Sequence, residues 1–199
     1  MYIIIIIYKG IHILKHSSRK TTDMILIALF SAIIAAGAFV SIPFAVPFTL
    51  QSFAIFCSLL ILGGKRGFVS VLVYVLVGLA GVPVFSGFKG GVGVLGEITG
   101  GYIIGFVAAS ALFVLLEKLY KGKKGKTAKA LFLLAWLFVC YLFAVLWYSF
   151  VYSQGNISSA LIVCVLPFIV TDIIKLLVAV FFSEKIVNIL KITIDKSHM

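Results

Sequence analysis

The sequence is a succession of apolar runs joined by short connections, some rich in Gly and Pro and others rich in Lys. A helix needs ~20 apolar residues to cross a bilayer. The clearest runs cover residues 24–42, 102–116, 130–151 and 160–182; one more ends near residue 62, and another covers 68–80. Hydrophobic residues make up 63% of the 199 and charged residues 12%. That is about half the charge of a soluble domain, and a soluble fold of this length leaves too much surface in water to hide so apolar a content. Lipid is therefore the solvent for much of the chain. The expected architecture is a single all-α integral membrane domain of six transmembrane helices over residues 24–199.

Residues 1–23 stand apart. Five consecutive isoleucines, Ile3 to Ile7, precede a stretch with His12, Lys15, His16, Arg19 and Lys20. The apolar part is too short to span. It lacks the basic lead and the small-residue cleavage site of a signal peptide. The expectation is an N-terminal extension from a start placed too early, with the working chain beginning near Thr21 or Met24; an interfacial anchor is the alternative.

Charge sets the topology. Lys15, Arg19 and Lys20 precede the first run, and Lys65 and Arg66 lie in the glycine-rich turn 63–67. Six lysines, Lys118 to Lys129, separate the fourth and fifth runs, and Lys185, Lys191 and Lys196 follow the sixth. The alternate connections hold only Lys89. Positive loops stay inside, so both termini are expected in the cytoplasm, with segments 42–51, 81–101 and 151–159 outside. The formal charge of +11 then belongs to loops that face anionic lipid, and nucleic acid is not expected as a partner.

Several motifs lead nowhere. Cys57, Cys140 and Cys164 each sit in an apolar run and form no CxxC pair, so neither a disulfide nor a metal site is expected. Gly91, Gly93 and Gly96 match GxGxxG, but in a loop between spans and not between a strand and a helix. Gly125-Lys126-Thr127 lacks the upstream glycine of a phosphate loop, having Tyr120 there. Ser86 has no histidine to activate it, because His12, His16 and His198 lie outside the spans. The chain is expected not to be an enzyme and to hold no cofactor.

Two patterns carry weight. Asp172 and Lys175 lie inside the sixth run, three residues apart and so on one helix face. A charge at the bilayer centre costs on the order of 2.5–3.5 kcal/mol on the lenient scale. Such a pair faces a bundle interior or a cavity, either as a binding site or as an ion pair that orders the bundle. Ala28, Ala32 and Ala36 repeat at a four-residue spacing in the first run, which lets another helix approach closely, within this chain or from a partner. The segment 81–101 is too rich in glycine for a lipid-facing helix; its irregular backbone belongs inside protein or beside a cavity.

Three segments together resemble the BioY family of biotin transporters, the substrate-binding S components of energy-coupling factor vitamin importers. They are TTDMILIALFSAIIAAGAFVSIPFAVPFTLQ, GLAGVPVFSGFKGGVGVLGEITGGYIIGF and PFIVTDIIK. The family usually reads Gly-Pro-Thr-Gly-Gly-Tyr where this chain has Glu97-Ile98-Thr99-Gly100-Gly101-Tyr102. The resemblance implies the six-helix S-component fold in a bacterial plasma membrane and a biotin site near the outer surface. As partners it implies a membrane coupling subunit and two ABC-type ATPases. It also implies that Asp172 and Lys175 contact the ligand and that Ala28, Ala32 and Ala36 dock on the coupling subunit. Biotin brings a ureido ring, an apolar thioether ring and a carboxylate. Asp172 can accept from ureido N–H groups, and Lys175 can donate to the ureido carbonyl or pair with the carboxylate. Phe85, Phe88 and Tyr102 are candidate apolar walls. Gln51 and Thr99 are candidate polar contacts, and Gly90 and Gly91 belong to glycines that allow close approach and a mobile lid. The alternatives are an S component or carrier for another small ligand, and a structural membrane protein.

Overall fold

A computed structural model describes residues 19–122 and 125–196. These residues form seven helices: α1 (Arg19–Phe39), α2 (Gln51–Leu62), α3 (Gly64–Leu79), α4 (Gly100–Leu119), α5 (Lys126–Val151), α6 (Ile157–Cys164) and α7 (Ile169–Lys196). Of the expected N-terminal extension, residues 1–18 lie outside the described residues; residues 19–23 are the start of α1.

Helix α1 ends where Pro43 and Pro47 forbid its continuation. The chain instead makes a small antiparallel hairpin, β1 (Ser41–Ile42) against β2 (Phe48–Thr49), with Ser41 opposite Thr49. The Leu50 N–H returns to the Gly37 and Val40 carbonyls at 3.1 and 3.2 Å. That approach needs glycine at 37, where a Cβ would lie 3.0 Å from the Leu50 oxygen.

The expected turn over residues 63–67 shrinks to Gly63 alone. Its φ of 82° is open to glycine and strained for other residues, and α3 begins at Gly64. Lys65 and Arg66 therefore lie on the first helical turn, where Arg66 pairs with Asp23 of α1 at 3.0 Å. The Glu117 carboxylate accepts from the Gly64 N–H at 2.7 Å, which supplies an anion to the start of α3. The basic connection also contracts, because α4 continues to Leu119 and α5 starts at Lys126. The sixth run is two helices: α6 and α7 meet at 49° across the break that holds Pro167.

Three described helices, α1, α4 and α5, are long and apolar enough to cross a membrane, and α6 with α7 makes a fourth if the bent pair is one span. Helices α2 and α3 have 12 and 16 residues, or ~18 and ~24 Å at 1.5 Å per residue, short of the ~30 Å hydrocarbon core. By length and composition alone, three or four crossings are apparent among the described helices.

The core runs between α2, α4 and α5. Phe56, Leu59, Leu133 and Trp136 are fully buried, and the Trp136 indole N–H donates to Ser110 Oγ at 3.0 Å. Gly105 lets α4 close on α5, since a Cβ there would sit 3.0 Å from the Cys140 oxygen. Outward faces carry bulky apolar residues: Leu134, Phe138, Leu142 and Leu146 on α5, and Ile174, Leu177, Val178 and Phe181 on α7. These are the faces that lipid covers. On α1 the exposed positions include Ala28, Ala32 and Ala36.

Candidate ligand-binding site

The loop over residues 80–99 folds over one end of the bundle. Phe85 and Lys89 exchange backbone hydrogen bonds at 3.0 and 3.3 Å, and a 3-10 turn spans Val92–Gly96. Two side chains of the α5 end hold the loop by its backbone. The Trp147 indole donates to the Glu97 carbonyl at 3.1 Å, and the Tyr152 hydroxyl donates to the Gly96 carbonyl at 2.7 Å. The Glu97 side chain pairs with Lys89 at 2.5 Å.

Beneath this loop lies a chamber of ≈ 70 Å³, several times the ~10–15 Å³ that admits one water. Its walls come from the hairpin segment (Val46, Pro47, Thr49), the start of α2 (Gln51, Ser52) and the loop (Phe85, Ser86, Val94, Thr99). Helix α4 adds Tyr102, Ile103 and Phe106, and α5 adds Trp136, Leu137, Cys140 and Tyr141. Phe168, Asp172 and Lys175 close the last side. The lining is mainly apolar with a few polar groups, the usual composition of a small-molecule site.

The polar centre is Asp172, 6% exposed. Its Oδ1 accepts from Lys175 Nζ at 2.8 Å and from Ser52 Oγ at 3.1 Å, and its Oδ2 accepts from the Tyr141 hydroxyl at 2.7 Å. Lys175 Nζ also donates to Ser52 Oγ at 3.3 Å. Asp172 lies in the first turn of α7, where the helix dipole favours an anion. The break before α7 thus moves the carboxylate from mid-helix to a helix start and lowers the cost of keeping it there. A buried ion pair is stable only when further hydrogen bonds satisfy its remaining capacity, and Ser52 and Tyr141 supply these.

Six residues expected at the site, Asp172, Lys175, Tyr102, Thr99, Phe85 and Gln51, line this one chamber. The Gln51 amide donates to the Tyr74 hydroxyl at 2.8 Å, and Tyr74 in turn donates to the Val84 carbonyl at 3.3 Å. The Tyr102 hydroxyl donates to the Cys164 carbonyl, so its ring is what the chamber meets. Gly90 and Gly91 do not line the chamber. The Gly91 N–H donates to the Gly78 carbonyl at 2.8 Å, and a Cβ on Gly90 would lie 2.5 Å from the Val82 oxygen. Gly91 thus ties the loop to the end of α3, and Gly90 lets the loop close on its own start at Val82. Phe88, expected as a wall, is 68% exposed and stacks on Phe39 at the end of α1, with ring centroids 4.5 Å apart.

The chamber also contains residues that the sequence did not single out as contacts: Ser52, Tyr141, Trp136, Phe106, Phe168 and Ser86. The one available signal was Tyr141, a hydroxyl within an apolar run, where it must find a partner. Ser86 Oγ is enclosed and makes no hydrogen bond.

Comparison with known proteins gives a consistent result. A probable biotin transporter BioY of Pyrococcus horikoshii is 40% identical over 168 residues, which is 84% of this chain and 97% of that one. The biotin transporter BioY of Thermotoga maritima is 37% identical over 165 residues, covering 82% of this chain and 95% of its own. Among solved structures, the S-component for biotin from an ECF-type ABC transporter superposes with a TM-score of 0.75 at 26% identity, over 85% of this chain and 93% of that chain. The BioY family model itself matches residues 13–192, and with the fold, the chamber and these relatives in agreement, the chain belongs to the BioY family, a family of multi-pass membrane transporters.

Proposed function

We propose that this chain captures biotin as the substrate-specific S component of an ATP-driven vitamin importer and catalyses no reaction itself. The observation that carries this reading is the Asp172–Lys175 pair, held by Ser52 and Tyr141 on the wall of a mainly apolar chamber. A carboxylate and an ammonium set among aromatic rings match a guest with a polar urea head on an apolar bicycle. The relatives are biotin transporters, and the similar solved structure is the S-component for biotin of an ECF-type ABC transporter. Tyr102, Phe85, Thr99 and Gln51 complete the contacts.

The partners in this reading are a membrane coupling subunit and two ABC-type ATPases, which supply the energy. Their dock is the small-residue ridge of α1, where Ala28, Ala32 and Ala36 are all exposed among the described residues. The chain crosses the membrane six times with both termini in the cytoplasm, α2 and α3 serving as short crossings that a locally thinned bilayer accommodates.

The deciding experiment is isothermal titration of the detergent-solubilised protein with biotin and a panel of other vitamins. Saturable binding of biotin alone, one per chain, is expected. Preference for another vitamin replaces the ligand and keeps the S-component role; binding of none of them overturns both.

A further inference from the structure

We propose that the Ser86 hydroxyl is a direct ligand contact that accepts a hydrogen bond from one ring N–H of the cyclic urea. The proposal rests on the biotin reading and adds a specificity-determining residue to it.

Hydrogen-bond capacity sets what the guest still requires. A carboxylate accepts about four hydrogen bonds. Asp172 already accepts three, two on Oδ1 and one on Oδ2. One lone pair on Oδ2 remains for the guest. Lys175 Nζ has three N–H donors and uses two, on Asp172 and Ser52. The pair therefore offers one acceptor and one donor. A cyclic urea presents two N–H groups on opposite flanks of its carbonyl. One N–H and the carbonyl match what α7 has left, and the second N–H requires an acceptor from another wall.

Gln51 and Thr99 also stand on other walls, but Ser86 is the lining residue whose enclosed side-chain oxygen has no partner among the described residues. Among the described residues, two enclosed side-chain polar atoms lack a partner, Ser58 Oγ and Ser86 Oγ. Ser58 lies where α2 meets α3, with Gly67 close against its backbone oxygen, and is no part of the chamber wall. Ser86 is part of that wall. It comes from the covering loop, a different element from α7. An enclosed hydroxyl with no partner is unfavourable in a folded chain, and a guest that fills its valence removes that penalty on binding. The flanking backbone is specialised: Gly87 has φ 74° and Phe88 φ 56°, the latter uncommon for a bulky residue. The Phe85–Lys89 bridge closes this segment into a short turn with Ser86 inside it.

The test titrates biotin and its two mono-N-methylated ring isomers into the detergent-solubilised wild type, Ser86→Ala and Ser86→Thr. Ser86→Ala is expected to bind biotin about tenfold more weakly, and Ser86→Thr, which keeps the hydroxyl, to stay within about threefold of wild type. For one methylated isomer, the one that has lost the proton Ser86 accepts, wild type and Ser86→Ala are expected to bind alike. Undiminished biotin affinity in Ser86→Ala overturns the proposal. So does an equal loss toward biotin and both isomers, which marks a role in folding the loop. A wild type that takes no biotin defeats the parent reading, an outcome distinct from either of these.

Discussion

Helices α1 and α7 are both long and largely apolar, yet they distribute their side chains in opposite ways. On α7 the inward face carries an acid–base pair and the outward face bulky residues, Ile174, Leu177, Val178 and Phe181. On α1 the pattern is reversed in size. Bulky Phe30 and Ile34 point into the core, and alanines 28, 32 and 36 point out. Lipid tails pack against large side chains as readily as against small ones, whereas a second helix gains from small ones. An exposed ridge of alanine is therefore suited to a helix partner, as proposed above, and an exposed ridge of leucine and phenylalanine to lipid.

The sharpest break of this division is Asp172→Asn. It leaves a buried ammonium without its counter-ion and takes a charged acceptor from the guest. Truncating one member of a buried charge pair costs several kcal/mol, so biotin affinity should fall on the order of 100-fold while insertion and association with the coupling subunit persist. Titration and co-purification read the two halves. Undiminished affinity would remove α7 from the site. Next in size is Ala32→Leu. Uptake of labelled biotin by cells that also make the coupling subunit and ATPases should drop about tenfold as helix approach is blocked, with the dissociation constant of the isolated protein within about twofold of wild type.

Ser31→Ala probes the inward face of α1. Ser31 Oγ lies 2.8 Å from both the Ile27 and the Ser70 carbonyls, the latter on α3. Loss of that link should lower the melting temperature in detergent by a few degrees and leave biotin affinity intact; a change in affinity instead would tie α1 to the ligand. The smallest effect is expected from Ile174→Ala, on the lipid face of α7. Binding and uptake should both stay within about twofold, and a selective loss of uptake would reveal a second partner surface.

The membrane class, the breaks at Pro43 and Pro167 and six wall residues of the chamber were legible in the sequence because each leaves a local mark. A charge in an oily run, a proline in a helix and a glycine cluster are visible one at a time. The shared polar network was not legible. Ser52 meets Asp172 across 120 positions and Tyr141 across 31, and no spacing rule reaches so far. Gly90 and Gly91 were read as allowing close approach and a mobile lid, and in the structure Gly91 bonds the end of α3 while Gly90 packs on the start of the loop. Lys65 and Arg66 were read as a turn, since glycines flank them, but one glycine is enough to reverse the chain. The number of crossings was counted from apolar runs, while helix length depends on where the hairpin and Gly63 cut α2.

The grip of Trp147 and Tyr152 on the covering loop falls on the carbonyls of residues 97 and 96. Every amino acid, proline included, presents that oxygen. The anchorage is thus blind to side-chain identity, and the exchange of glycine-proline for Glu97-Ile98 in this stretch leaves the roof moored. Divergence at 97 and 98 is for that reason a poor guide to a change of cargo, and substitutions at the two tethering aromatics a better one.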